Sequence, residues 1–330
     1  MNDIVRIGLG QPQHSRTEFI GISADERERE RALRERFAIF WEAAGGEPRA
    51  RYDEYISATP LVHDVDLEAV GTSGVRGWWV RPQHPKPGQA ILFLHGGGYV
   101  LGSAKAYRGF VSQIVGRAGI PALVIDYPLA PEATLPAAPN AAKAAWHWLV
   151  AQGFDRVAVV GDSAGGGLTL VTLAELIKEP HGAAPIAGVV FSPWTDLAFT
   201  GASMKDLAVT DPLIGYEYLQ DCARKYLGAA DSRDHLASPL YGNLHGLPPL
   251  LIQVGTDERL LDDARRYADL ATLAGVSVEL EIFEDMHHVF QLDVAYLETS
   301  RAALDRASRF LRNAFDGTDD PGAVVQGLGR

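Results

Sequence analysis

The sequence predicts an α/β fold, a mostly parallel sheet with helices covering both of its faces. Two observations carry that expectation. From about residue 90 to residue 313, short apolar runs with strand character alternate with longer segments of helical spacing. Within that alternation, the small-residue stretch GDSAGGG (161–167) separates the apolar run Val157–Val160 from a second one, Leu168–Val171. A tight strand-to-helix turn is what such a stretch builds.

The elements follow in order. Residues 24–45 read as a helix, because Leu33, Phe37, Phe40, Trp41 and Ala44 recur at helical spacing. The charge run Glu26–Arg36 alternates in sign and reads as the solvated face of that helix. After Pro60 the texture changes to strands: VHDVDLEAV and VRGWWVRP, an antiparallel-looking pair, then AILFLHGG. Strands at 121–126, 156–161 and 186–193 alternate with helices at 137–153 and about 164–178. Residues 196–240 break the rhythm, being polar and irregular with a helix around 216–226. Alternation resumes with a strand at 249–255, a helix over 264–274, a strand at 277–284 and a closing helix over 296–313. The interruptions are expected as insertions around one sheet, and the tail as flexible. No repeat or low-complexity segment is present.

Composition narrows the partners. The chain has 330 residues, 47% hydrophobic and 22% charged, which is ordinary for a globular protein. A net charge of −12 argues against nucleic acid or an anionic membrane surface, both of which need basic patches. The single cysteine, Cys222, excludes an internal disulfide framework and reads as a partly buried small apolar side chain. No apolar run approaches the roughly 18–20 residues of a membrane helix, and the first residues, MNDIVRIGLGQPQHSR, lack the order of a signal peptide. A soluble cytoplasmic protein is therefore expected, without membrane insertion and with a homodimer left open.

The turn at 161–167 is no phosphate loop, since Leu168 stands where a P-loop needs Lys, and no dinucleotide fingerprint, since it lies deep in the chain. Its pattern is G-x-S-x-G, a nucleophile elbow that presents Ser163 at the carboxyl end of the sheet. A serine nucleophile needs a base, an acid that orients the base, and donors for the oxyanion. His95-Gly96-Gly97-Gly98 follows the strand AILFL and has the form of an oxyanion loop, so Gly97, Gly98 and Ala164 supply three backbone N–H donors. The base is expected after the last strand, where EDMHHVF offers His287 and His288. The acid is expected at the end of the preceding strand, where GTDERLLDD offers Asp257 and Glu258. A metal site is the competing reading of these groups. It fails because H-E-x-x-H is missing and adjacent histidines on extended backbone point apart.

Together these stretches resemble the hormone-sensitive-lipase-like esterases, the bacterial HGGG-type branch of the α/β-hydrolases. The resemblance runs from about residue 62 to about 311 and rests on HGGGYVLGS, DYPLAPE, GDSAGG, SPWTDL, GLPPLLIQVGTDERLLDD and DMHHVF. It implies an eight-stranded, mostly parallel sheet with a helical cap. The cap then comprises residues 1–55 and an insertion at 196–235, the core 56–195 and 236–315, and the tail 316–330. It implies a carboxylesterase-type serine hydrolase with no metal or organic cofactor, acting on small short- to medium-chain acyl esters. Amides, carbamates and lactones are related targets, and a non-catalytic ligand-binding relative is the alternative of another class. The family pattern M-x-H-x-F selects His288 as base. The acid of the family is followed by Leu at +2, Asp at +4 and an acid at +5, which from Glu258 gives Leu260, Asp262 and Asp263 and from Asp257 fails at +2. The implied triad is Ser163, Glu258 and His288. Two departures stand out: Pro128 replaces the usual Arg of a loop motif, and the acid is Glu where the family most often has Asp.

Overall fold

The computed structural model describes residues 15–317 apart from 43, 44, 73, 180–182, 207, 210 and 212. Residues 1–14 of the expected cap and 318–330 of the expected tail thus lie outside the described residues. Among those described, the strands are β1 (Arg16–Ile20), β2 (Val65–Thr72), β3 (Val75–Pro82), β4 (Gln89–Leu94), β5 (Ala122–Ile125), β6 (Arg156–Asp162), β7 (Gly188–Phe191), β8 (Leu250–Gly255) and β9 (Val278–Phe283). The helices are α1 (Ala24–Glu42), α2 (Pro48–Ser57), α3 (Arg108–Ala118), α4 (Ala137–Ala151), α5 (Ser163–Leu176), α6 (Tyr216–Leu227), α7 (Leu261–Leu273) and α8 (Glu298–Asp316).

The strands form one sheet in the order β1-β9-β8-β7-β6-β4-β5-β3-β2. All pairs are parallel except β2 with β3 and β3 with β5, so the antiparallel pair read from the sequence sits at one edge. The sheet has nine strands and not eight. The addition is β1, which lies inside the segment expected to be all helical and pairs with β9, Arg16 opposite Glu279.

Successive side chains on a strand point to opposite faces, and the core divides accordingly. Ala90, Leu92, Val157 and Val159 pack with residues of α4, α5 and α7, whereas Ile91, Phe93, Ala158 and Val160 pack with residues of α3 and α8. With helices on both faces, the central strands read as continuous apolar runs.

Helix α1 departs from its expected role. Its charge run is not simply a solvated face: Glu26 and Glu30 are buried. Glu26 accepts the backbone N–H groups of Glu298 (3.2 Å) and Thr299 (2.9 Å), capping the start of α8. Helix α2 meets the loop after β4, where Ser103 Oγ donates to Asp53 Oδ2 at 2.7 Å. Helix α6 reaches the same loop, with the Tyr226 ring stacked on Tyr99 at 3.8 Å.

Candidate active site

The carboxyl ends of five adjacent parallel strands supply the site. In the order β9-β8-β7-β6-β4 they lead into His288, Glu258, Ser192, Ser163 and the 95–98 loop respectively. This is where open α/β sheets bind their ligands.

Ser163 is the first residue of α5 and holds φ of 53°, a left-handed conformation that a serine adopts only when its surroundings impose it. Those surroundings are tight. A Cβ at Gly165 would lie 2.1 Å from Leu94 O and 2.4 Å from His95 O, so only glycine lets the turn press against the end of β4. Ala164 stands in the first turn of α5, whose N–H groups have no carbonyl one turn back. Gly97 and Gly98 have φ of 108° and 61°. The Gly97 carbonyl accepts the N–H groups of Val100 (3.0 Å) and Leu101 (2.9 Å), which fixes the loop.

The three residues implied as a triad are brought together. Ser163 Oγ donates to His288 Nε2 at 2.9 Å, and His288 Nδ1 donates to Glu258 Oε2 at 2.8 Å. A carboxylate only accepts, so the proton sits on Nδ1 and leaves Nε2 free to take one from serine. Burial pulls the His288 pKa down, but the bond to Glu258, its charge and the charges of Asp211 and Asp162 outweigh burial and raise it above 6.5. Glu258 is fully buried, and its other oxygen is satisfied: Oε1 accepts from Ser192 Oγ at 2.7 Å and from Gly255 N at 2.8 Å.

Ser192 and Asp162 were given no role from the sequence. Ser192, at φ 47°, donates to Glu258 and also accepts the N–H of Val289 at 3.1 Å, so it ties Glu258 to the loop that carries His288. Asp162 accepts from Gly96 N at 3.0 Å and from Tyr107 OH at 2.9 Å, joining the elbow to the glycine loop. Burial lifts its pKa to about 7, against the pull of those two bonds. The blocks GDSAGG and SPWTDL were the available signals. The two adjacent histidines take different partners. His287 does not join His288, and it donates to Glu30 and Asp293 at 2.8 and 2.9 Å. Cys222 is buried, and a Cβ at Gly98 would lie 2.9 Å from its sulfur.

A cavity of about 230 Å³ has Phe37, Phe40, Tyr55, Leu213 and His287 among its lining residues. Ser163, Glu258 and His288 do not line it.

The α/β-hydrolase fold family matches residues 91–292. An acetyl-hydrolase of Streptomyces hygroscopicus is 37% identical over 287 residues, 86% of this chain and 95% of the relative. An esterase of Acinetobacter venetianus is 32% identical over 78% of this chain and 86% of its own length. The crystal structure of an esterase from the bacterial hormone-sensitive lipase family superposes with a TM-score of 0.82 at 39% identity, covering 89% of this chain and 99% of that one. With the elbow, the glycine loop and the late histidine in the family's chain order, the protein belongs to the α/β-hydrolase fold family, in its bacterial hormone-sensitive-lipase branch.

Proposed function

We propose that this carboxylesterase-type hydrolase cleaves short- to medium-chain acyl esters through Ser163, His288 and Glu258. The observation that carries the reading is the unbroken chain Glu258–His288–Ser163, bonded at 2.8 and 2.9 Å. Ser163 Oγ attacks the ester carbonyl while His288 takes its proton, and Glu258 stabilises the imidazolium that forms. The carbonyl oxygen becomes an oxyanion and is bound by the N–H groups of Gly97, Gly98 and Ala164. One such donor is worth about 10²–10³ in kcat. His288 then protonates the departing alcohol, leaving an acyl group on Ser163. Water, deprotonated by the same imidazole, attacks that ester; the acyl–Oγ bond breaks, the imidazolium returns its proton to Ser163 Oγ, and the carboxylic acid leaves. No metal or organic cofactor enters any step.

The contacts of α1, α2 and α6 with the loops at the carboxyl edge support a cap built from those three helices, whereas Arg16–Ile20 of the expected cap segment belong to the sheet. Small acyl groups are favoured by the crowding at Gly98, where Cys222 Sγ and Tyr218 OH lie 2.9 and 3.6 Å from the position a Cβ would take. The acetyl-hydrolase among the relatives supports the same size.

A series of 4-nitrophenyl esters from acetate to decanoate tests the reading. Turnover is expected to be best among the short and medium members. Preference for decanoate would overturn the chain-length reading, and turnover of none would overturn ester hydrolysis.

A further inference from the structure

His287 immediately precedes the base, yet both of its ring nitrogens are turned away from Ser163. Nδ1 donates to Glu30 Oε1 at 2.8 Å and Nε2 donates to Asp293 Oδ2 at 2.9 Å, with the side chain 3% exposed. A carboxylate accepts and does not donate, so the two contacts together need a proton on each nitrogen, which makes His287 an imidazolium. Burial opposes that charge, but the bonds and charges of Asp293 and Glu30 outweigh it and lift the pKa to about 10.

The chain of contacts continues along α1. Glu30 Oε1 also accepts from Arg34 Nε at 2.5 Å, and Arg34 Nη1 donates to Asp257 Oδ2 at 2.5 Å. Arg34 Nη2 reaches the carbonyl of Asp285 at 3.2 Å. One helix therefore grips Asp257, the residue before the acid, and His287, the residue before the base. Leu33 of α1, with Ile20 and Ile22, adds an apolar contact to the cluster of Met286 and Phe290 on the same loop. That loop needs restraint. Asp285 and Val289 hold φ of 55° and 51°, and the left-handed region is unfavourable for valine above all.

We propose that Glu30, Arg34 and His287 are positioning residues, through which helix α1 sets the alignment of Glu258 with His288 while contributing no group to the chemistry. The proposal rests on the triad reading given above. It explains why two adjacent acids and two adjacent histidines occur where one of each would suffice. The second member of each pair belongs to the triad, and the first is the handle by which α1 holds it. Small displacements are costly here, since about 1 Å of misplacement lowers a rate by about a hundredfold.

The test compares Arg34→Met, Asp257→Asn and the double variant with the parent, using 4-nitrophenyl acetate, the ester least dependent on cap contacts. Each single variant is expected to lose about tenfold in kcat with KM within about twofold. The double variant should lose no more than the worse single one, because both remove the same restraint. Arg34→Lys should recover part of the loss, since an ammonium still reaches one carboxylate. The inference is overturned if folded Arg34→Met keeps kcat within twofold of the parent, if the loss falls on KM alone, or if the two losses multiply. Where a variant does not fold, nitrogen NMR of the parent decides. At about pH 8.5, where ordinary histidines are neutral, one imidazolium should remain, and its absence overturns the inference. Ser163→Ala in the same assay separates the two levels. An active Ser163→Ala refutes the triad reading itself, whereas an inactive one beside an unimpaired Arg34→Met refutes only the role of α1.

Discussion

Asp257 and Glu258 are neighbours in the chain and serve different elements: Arg34 Nη1 reaches the Asp257 carboxylate at 2.5 Å, and His288 Nδ1 reaches that of Glu258 at 2.8 Å. The backbone between them is fixed, since Asp257 N donates to Met286 O at 3.1 Å and Gly255 N to Glu258 Oε1 at 2.8 Å.

Glu258→Gln should therefore lower kcat by up to about 10⁴, or about 5 kcal/mol of transition-state stabilisation, by leaving His288 in the wrong tautomer. Asp257→Asn removes a restraint and not a triad group, so its loss should stop near tenfold. Steady-state kinetics on the two purified variants check the order. If Asp257→Asn is the crippled enzyme, the acid has been misassigned.

The pH profile has a definite sign. His288 must be neutral to accept the serine proton, and its pKa lies above 6.5 because Glu258, Asp211 and Asp162 outweigh burial. kcat/KM should rise with pH through a midpoint above that value. Asp211→Asn removes one of the three charges and should move the midpoint down. A midpoint that rises or stays fixed contradicts the assignment of His288 as the titrating base.

Stability should carry the signature of Asp162. Its folded-state pKa of about 7 lies above the ordinary 3.8, so between those values the folded chain keeps a proton that the unfolded chain has released. This group then costs stability progressively as pH rises from about 4 to about 7. Asp162→Asn mimics the protonated acid, still accepting from Gly96 N and facing Tyr107 OH. Its Tm relative to the parent should climb from about pH 4.5 to about pH 7.5 by thermal unfolding. A difference independent of pH contradicts the shifted pKa.

Gly165→Ala should be severe, because the new methyl would meet Leu94 O at 2.1 Å and the backbone of either β4 or α5 must move. A loss of about 3 kcal/mol or more is expected from the urea midpoint, with activity falling alongside it. Near-parental stability would mean that the elbow is looser than described.

Much of this was legible in the sequence, and what was missed shares one cause. Local patterns carried the core: β3 falls on the residues read as VRGWWVRP, and α4, α6 and α8 lie within a few residues of the segments read as helices. Ser163, Glu258 and His288 could be picked out because each sits in a short block next to a strand end, and the structure brings their side chains within hydrogen-bond distance. The edge strand β1 was not, since RTEFI is five residues long and its partner β9 begins at Val278, far along the chain. The same distance hid the roles of Ser192 toward Glu258 and of Asp162 toward Gly96. Glu30 and Arg34 were masked by composition: in a run of alternating charge, nothing local marks which members turn inward.

Ser163, with φ of 53° and a 2.9 Å bond to His288 Nε2, is the proposed nucleophile. The most direct measurement is 4-nitrophenyl acetate turnover by Ser163→Ala and the parent side by side, with circular dichroism showing that both are folded. The prediction is a fall of about 10⁴–10⁶ in kcat. A folded Ser163→Ala that keeps more than about a tenth of the parental rate would contradict it.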